Sequence, residues 1–176
     1  MRKFGLIGKS LGHSFSKKFF TAFFEEHAIN AVYENLEVSH AEDLQSALNE
    51  EFSGFNVTIP YKEVIIPFLD ELSDEAISIG AVNVIRKEND RWIGHNSDAF
   101  GFHQSIKPFL TNKHERAIVL GTGGASKAVS YVLKKIGIDV IYISRKPKAK
   151  NEFAYSDINE NMLKALDKII KKTNHF

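Results

Sequence analysis

At 176 residues, 43% hydrophobic and 26% charged with a net charge of +1, the chain has the make-up of one large globular domain or two small ones. The balanced charge gives no electrostatic reason to expect nucleic acid or an anionic membrane as a partner. The absence of cysteine excludes a disulfide scaffold and a thiolate metal site, and no metal is expected.

The N-terminus is basic and then apolar, but its apolar run is too short for a signal-peptide core or a membrane span. It reads as a buried strand over 4–7, and the expected location is the cytoplasm. A helix follows over 17–27, with Phe19, Phe20, Phe23 and Phe24 as an apolar stripe assigned to the core. A strand over 32–38 precedes a helix over 41–48 opened by Ser39. Phe55, Val57 and Ile59 then alternate with Asn56 and Thr58, the period-two pattern of a half-buried strand. Pro60 suits the start of the next helix, which is anchored by Val64, Ile65, Phe68 and Leu69. Residues 74–79 form a short helix closed by Gly80. A hairpin over 81–85 and 91–93 turns at Glu88-Asn89-Asp90. A helix over 100–110 and a polar linker over 111–115 lead to a new β-α-β pattern: a strand over 117–120, a helix over 126–136 with Gly137 as its C′ residue, and a strand over 140–144. The remainder is basic and less regular, with a weakly amphipathic helix over 161–172. The alternation is that of an α/β protein.

Several polar residues stand out against this frame. Lys62 lies in the first turn of its helix, where a cation opposes the dipole, and close to Asn56 and Thr58. From that segment alone, a ligand-facing lysine and a solvated lysine after a core strand are equal readings. Ser14 and Ser16 precede the 17–27 helix; two hydroxyls so spaced suit a carboxylate, while Ser16 also suits a helix cap, and the roles are compatible. Asn83 sits in an apolar run, where a buried amide needs partners and a bound polyol is one way to provide them. Asp98 suits either capping of the next helix or catalysis.

Gly121-Thr122-Gly123-Gly124-Ala125-Ser126 lies between a buried strand and a helix, the context in which a glycine turn cradles a pyrophosphate. Lys127 stands where the usual pattern has a small residue. The second strand ends in Ser144-Arg145-Lys146, with Lys148 nearby and no acid to take ribose hydroxyls. Basic residues at that position favour a 2′-phosphate, hence NADP over NAD; the bland alternative is a basic surface loop.

Taken in order, Ser14-x-Ser16, Asn56-Val57-Thr58-Ile59-Pro60-x-Lys62, Gly80-Ala81-Val82-Asn83, Asn96-Ser97-Asp98 and Gly121-x-Gly123-Gly124-Ala125 resemble shikimate dehydrogenase. The resemblance implies an α/β chain with an N-terminal α/β substrate domain (1–98), a connecting helix and linker (99–115), and an incomplete Rossmann-type NADP-binding domain (116–176). It implies NADPH-dependent, reversible reduction of 3-dehydroshikimate to shikimate, on the route to chorismate and aromatic amino acids. Ser14 and Ser16 would hold the substrate carboxylate. Thr58, Lys62, Asn83 and Asp98 would hold its ring oxygens, with Lys62 and Asp98 as the catalytic pair. Gly121, Gly123, Gly124 and Ala125 would meet the pyrophosphate of NADP. Ser144, Arg145 and Lys146 would meet its adenosine side, where the family often has Asn-Arg-Thr, with Arg145 and Lys146 on the 2′-phosphate. A lysine with a reference pKa of about 10.4 is ordinarily charged and suits protonation of a ketone oxygen, so oxidation of shikimate should prefer alkaline pH. The expected partner is a small-molecule substrate, and the expected state a monomer or homodimer.

Family members continue into a strand bearing Asn-x-Thr-Pro-x-Gly and complete the sheet. This chain reaches Phe176 without that segment, so only the first half of the dinucleotide site is expected. Two further expectations stand beside the enzyme: a non-catalytic fragment retaining shikimate or nucleotide binding at most, and, within the same class, a quinate/shikimate dehydrogenase.

Overall fold

A computed structural model describes residues 1–48, 51–111 and 114–160. The helix expected over 161–172, and positions 112 and 113 of the expected linker, lie outside the described residues. The chain divides into two compact units, Met1–Ser97 and Asp98–Phe176.

The first unit runs β1 (Arg2–Gly8), α1 (Phe15–Glu26), β2 (Ala31–Glu37), α2 (Leu44–Ala47), β3 (Gly54–Val57), α3 (Tyr61–Val64), β4 (Glu71–Leu72), α4 (Asp74–Ile79), β5 (Val84–Glu88) and β6 (Arg91–His95). Its six strands form one mixed sheet in the order β2-β1-β3-β5-β6-β4. β1 pairs in parallel with both β2 and β3, whereas β5 is antiparallel to β3 and to β6. Side chains alternate across the sheet. Ile7, Phe55, Val57 and Ile85 therefore join one core with Leu44, Tyr61 and Ile65, while Leu6 packs with Phe24 and Tyr33 on the other face.

Three sequence expectations change here. α1 begins at Phe15, two residues early, and only its sheet-facing side is core: Phe24 is buried, but Phe19 is 46% exposed and Phe23 36% exposed. Four phenylalanines at i, i+1, i+4 and i+5 span too wide an arc for all to face the sheet. β3 stops at Val57, because Thr58 turns the chain by accepting a hydrogen bond from the Tyr61 N–H at 2.9 Å. Ile59, expected on the buried face, is consequently 75% exposed; the Ile59–Pro60 bond is cis. The segment expected to be opened by Ser39 starts with a 3-10 turn, Ala41–Asp43, flanked by His40 with no side-chain cap.

The strand expected over 81–85 begins three residues later, at Val84, and Val64, expected to anchor the helix after Pro60, is 41% exposed at the end of the one-turn α3; α4 and the hairpin turn match their sequence signals. α4 has the expected bounds; Ser73 caps it by accepting from the Ala76 N–H at 3.3 Å, and Gly80 closes it at φ +70°. The β5–β6 hairpin turns at Asn89 and Asp90, both at positive φ, as a two-residue I′ turn requires.

The second unit runs α5 (Asp98–Ile106), β7 (Arg116–Leu120), α6 (Gly124–Lys135), β8 (Asp139–Ser144) and β9 (Glu152–Ala154). Its strands are parallel, in the order β7-β8-β9; the sequence reading did not anticipate β9. α5 gives way to a 3-10 turn at Lys107–Phe109, since Pro108 has no N–H to continue the helical ladder. Val119, Leu133, Ile138 and Val140 form the core, with Phe102 and Ile106 of α5 against it. α6 ends in a Schellman motif: Gly137 N–H bonds Lys134 C=O at 3.0 Å and Ile138 N–H bonds Leu133 C=O at 2.9 Å. No helix among the described residues is long and apolar enough to cross a membrane.

Candidate functional site

β1 delivers the chain into a tight loop. At Gly8 an added Cβ would lie 2.6 Å from Leu11 Cδ2 and 2.7 Å from Thr58 Cγ2, so this glycine lets the end of β3 and the loop close on each other. The loop is pinned at Leu11, which is buried. Its N–H donates to Glu37 Oε1 at 2.6 Å, and its C=O accepts from Asn35 Nδ2 at 3.3 Å and from the Ser14 N–H at 2.8 Å.

Ser14 occupies the N-cap position of α1 with an extended backbone, yet its side chain makes no cap bond. Its Oγ is buried and has no hydrogen-bond partner among the described residues, an arrangement a ligand would satisfy. Ser16 is inside the first turn of α1 and is not the cap. Ser14, Ser16 and Thr58 line one cavity of about 340 Å³. Two hydroxyls beside the free N–H groups and positive dipole end of a 12-residue helix suit a carboxylate-sized anion.

Lys62 and Asn83 do not line that cavity, but their backbones are tied to the same end of the sheet. α3 is a single turn, too short to persist unaided. It is held by the Tyr61 hydroxyl donating to Val38 C=O at 2.5 Å and by burial of Ile65 beyond its end, worth about 1.5–3 kcal/mol. Lys62 C=O accepts from Val82 N–H at 2.7 Å, Asn83 C=O accepts from Val57 N–H at 2.9 Å, and Asn83 N–H donates to His95 C=O at 3.0 Å. The short 81–83 segment thus links α3, β3 and β6. The Asn83 amide is half-buried, and Ser97 supplies partners for it: the Ser97 N–H donates to Oδ1 at 2.7 Å, and Nδ2 donates to Ser97 Oγ at 3.0 Å. Asn96 is buried and donates to Ala81 C=O at 2.9 Å, fixing the same loop. Asp98 is the first residue of α5, where a carboxylate complements the helix dipole.

In the second unit, Gly121 leaves β7 at φ +99°, a conformation that favours glycine. Its N–H donates to Ile143 C=O at 2.8 Å, fastening the loop to β8. Gly121, Thr122 and Gly123 line a cavity of about 810 Å³ together with Ser144, Arg145 and Lys146. No Cβ contact closes Gly123, so the backbone is open to a close approach. Ser144 is buried, and its Oγ has no partner among the described residues. Gly124 and Ala125 open α6 instead of lining the cavity; their N–H groups fall in its unpaired first turn. The open glycines, the basic strand end and the unsatisfied hydroxyl fit the phosphate and ribose end of a phosphorylated dinucleotide.

Residues 6–85 match the family model of the shikimate dehydrogenase substrate binding domain. The chain is similar to the NADP(+) shikimate dehydrogenase of Caldicellulosiruptor saccharolyticus, 35% identical over 172 residues, covering 94% of this chain and 61% of that protein. Among solved structures, shikimate dehydrogenase 1 of Peptoclostridium difficile aligns with a TM-score of 0.81 at 36% identity, over 89% of this chain and 62% of that one. The Thermus thermophilus enzyme, in complex with NADP(H) and shikimate, aligns with a TM-score of 0.71 at 33% identity, over 84% and 57%. The chain is α/β with the fold of shikimate dehydrogenases, and it spans about 60% of the length of the curated relatives it matches. Ser14, Ser16, Thr58, Lys62 and Asn83 all lie within the matched substrate-binding domain; Asp98 lies beyond it.

Sequence reasoning missed Tyr33, whose hydroxyl donates to Asn56 Oδ1 at 2.8 Å, and Glu37, which braces the Leu11 loop. It also missed Tyr155, which lines the glycine-loop cavity. A tyrosine or glutamate in an alternating strand carries no local mark of its cross-strand partner.

Proposed function

We propose that the chain is the substrate-binding domain and the first part of the nucleotide-binding domain of an NADP-dependent shikimate dehydrogenase, acting in chorismate and aromatic amino acid biosynthesis in the cytoplasm. The observation that carries the reading is the buried, unsatisfied Ser14 hydroxyl at the head of α1, in one cavity with Ser16 and Thr58, inside a domain matched over residues 6–85.

In this reading Ser14 and Ser16 donate to the shikimate carboxylate, and Thr58 and Asn83 hold its ring hydroxyls. Lys62 and Asp98 form the catalytic pair. When bound, NADPH supplies the hydride to the ketone carbon of 3-dehydroshikimate. The Lys62 ammonium gives one proton to the ketone oxygen, and the lysine is left neutral until solvent restores the proton. Gly121 and Gly123 leave room for the pyrophosphate, Ser144 meets the ribose, and Arg145 and Lys146 meet the 2′-phosphate.

The test is calorimetric titration of the 176-residue chain with shikimate, paired with an assay of NADP reduction. The reading expects saturable shikimate binding that is lost in Ser14→Ala/Ser16→Ala. It also expects Lys62→Met to retain binding while any turnover falls by about 10²–10⁴-fold. A chain that binds no shikimate overturns the reading. Binding without turnover leaves the substrate site standing and assigns the chain the role of a binding fragment.

A further inference from the structure

The second unit brings the ends of three parallel strands to one cavity. Leu120 of β7 pairs with Ile143 of β8, and Ser144 of β8 pairs with Ala154 of β9. Gly121, Arg145 and Tyr155 are the first residues beyond β7, β8 and β9, and all three line the cavity of about 810 Å³. The carboxyl ends of the strands are where open α/β sheets hold their ligands. Neighbouring strands lie about 4.8 Å apart, so the three residues leave the sheet at successive steps of roughly that size.

The lining residues divide by chemistry. Gly121 and Gly123 offer backbone, Arg145, Lys146 and Lys148 offer positive charge, and Thr122 and Ser144 offer hydroxyls. These groups suit phosphates and a sugar. Tyr155 is the sole aromatic side chain among the described residues of the lining, and at 48% exposed it is not placed there by core packing. Its backbone is held in place: the Ala154 N–H just before it donates to Asp157 Oδ2 at 2.8 Å, across the 3-10 turn Tyr155–Asp157. The basic loop between β8 and β9 is held as well. There the Lys148 N–H donates to Glu152 Oε2 at 2.7 Å, and the Tyr142 N–H donates to Asn151 C=O at 2.9 Å. A ring fixed at its root, one strand beyond the sugar position, is a stacking surface, and every nucleobase has a π-face to match it.

We propose that Tyr155 is the platform for the base of the bound nucleotide. The pyrophosphate lies at the end of β7, the ribose at the end of β8, and the base stacks on the Tyr155 ring at the end of β9. The strand order β7-β8-β9 thus follows the order of the groups along the nucleotide. The proposal rests on the NADP reading and adds to it the residue that takes the base.

The experiment compares 2′,5′-ADP with methyl riboside 2,5-bisphosphate, which keeps the sugar and both phosphates and lacks the base. Binding of both is measured calorimetrically to the unsubstituted chain, Tyr155→Phe and Tyr155→Ala. Tyr155→Ala should weaken 2′,5′-ADP about tenfold or more, the loss of one base–aromatic stack. Tyr155→Phe, which keeps the ring, should weaken it less than about twofold. The base-free ligand should bind all three chains within about twofold, which also shows that the alanine variant keeps its site. Equal weakening of both ligands by Tyr155→Ala would show a purely structural tyrosine and overturn the proposal. A loss in Tyr155→Phe as large as that in Tyr155→Ala would assign the effect to the hydroxyl and overturn it too. Proton NMR gives a second readout: ring current should move adenine H2 and H8 upfield on the unsubstituted chain and on Tyr155→Phe but not on Tyr155→Ala, and equal shifts on all three overturn the stack. If the unsubstituted chain binds neither ligand, the NADP reading falls and takes the proposal with it. If it binds both and Tyr155→Ala binds 2′,5′-ADP equally well, only the proposal falls.

Discussion

Asn83 and Ser97 grip each other through a pair of hydrogen bonds, one to the Ser97 backbone N–H at 2.7 Å and one to its hydroxyl at 3.0 Å. The pair joins the start of β5 to the loop after β6. Asn83→Ala removes both bonds and should destabilise the first unit by about 1–2 kcal/mol, whereas Ser97→Ala, which keeps the backbone bond, should cost about 1 kcal/mol or less. Urea denaturation followed by Trp92 fluorescence measures both. An Asn83→Ala chain as stable as the parent would show that the amide contributes little to the fold.

Gly8 has a steric reason to be glycine. In Gly8→Ala the new methyl would meet Leu11 Cδ2 at 2.6 Å and Thr58 Cγ2 at 2.7 Å. Leu11 can yield by changing rotamer, but β-branched Thr58 is stiff. The expected cost is about 1–3 kcal/mol, together with weaker shikimate binding as Thr58 is pushed from the cavity edge. Denaturation and calorimetry on the same preparation separate the two effects.

Arg145 lines the glycine-loop cavity. A charge-assisted hydrogen bond to a 2′-phosphate is worth about 1.5–3 kcal/mol. Arg145→Ala should therefore weaken 2′,5′-ADP by about tenfold or more and leave 5′-AMP nearly unchanged. Parallel titrations with the two nucleotides decide it, and equal losses for both would place Arg145 on the shared part of the ligand.

Tyr33 offers a pH signature. Its phenol is held near pKa 12 against an ordinary 10.0, chiefly by burial, with the Ser16 hydroxyl opposing. The folded state favours the neutral form. Its contribution to stability is therefore complete below pH 10 and is lost as pH rises toward 12. Spectrophotometric titration should show one phenolate appearing only near pH 12 in the folded chain and absent from Tyr33→Phe.

The sequence made some of this legible and hid the rest for identifiable reasons. α4 is readable because Gly80 marks its end with its own chemistry, and the β5–β6 turn because Asn89 and Asp90 tolerate positive φ. Ile59 misled, since alternation continues through a residue that has already left the sheet. Phe19 and Phe23 misled because composition cannot show which arc of a helix meets the sheet. β9 was missed because Glu152-Phe153-Ala154 is too short for a periodic signal. In the site, Ser14, Ser16 and Thr58 were nominated from the chain and do share a cavity. Ser16 also suits a helix cap by sequence, a role that the start of α1 at Phe15 rules out. Neither the bond from Tyr33 to Asn56 nor that from Glu37 to Leu11 was visible, because each joins segments whose adjacency only the folded sheet defines.

β5 runs against its neighbour β3 in the sheet, and that reversal decides where Asn83 sits. Its five residues span about 16 Å. Were β5 parallel to β3, the residue preceding it would emerge at the far edge, roughly that distance from Thr58. Running backwards, it begins where β1, β3 and β6 end. A loop that enters a strand and three loops that leave strands thereby meet on one rim. The direction of one short strand does the work that a long crossover loop would otherwise have to do.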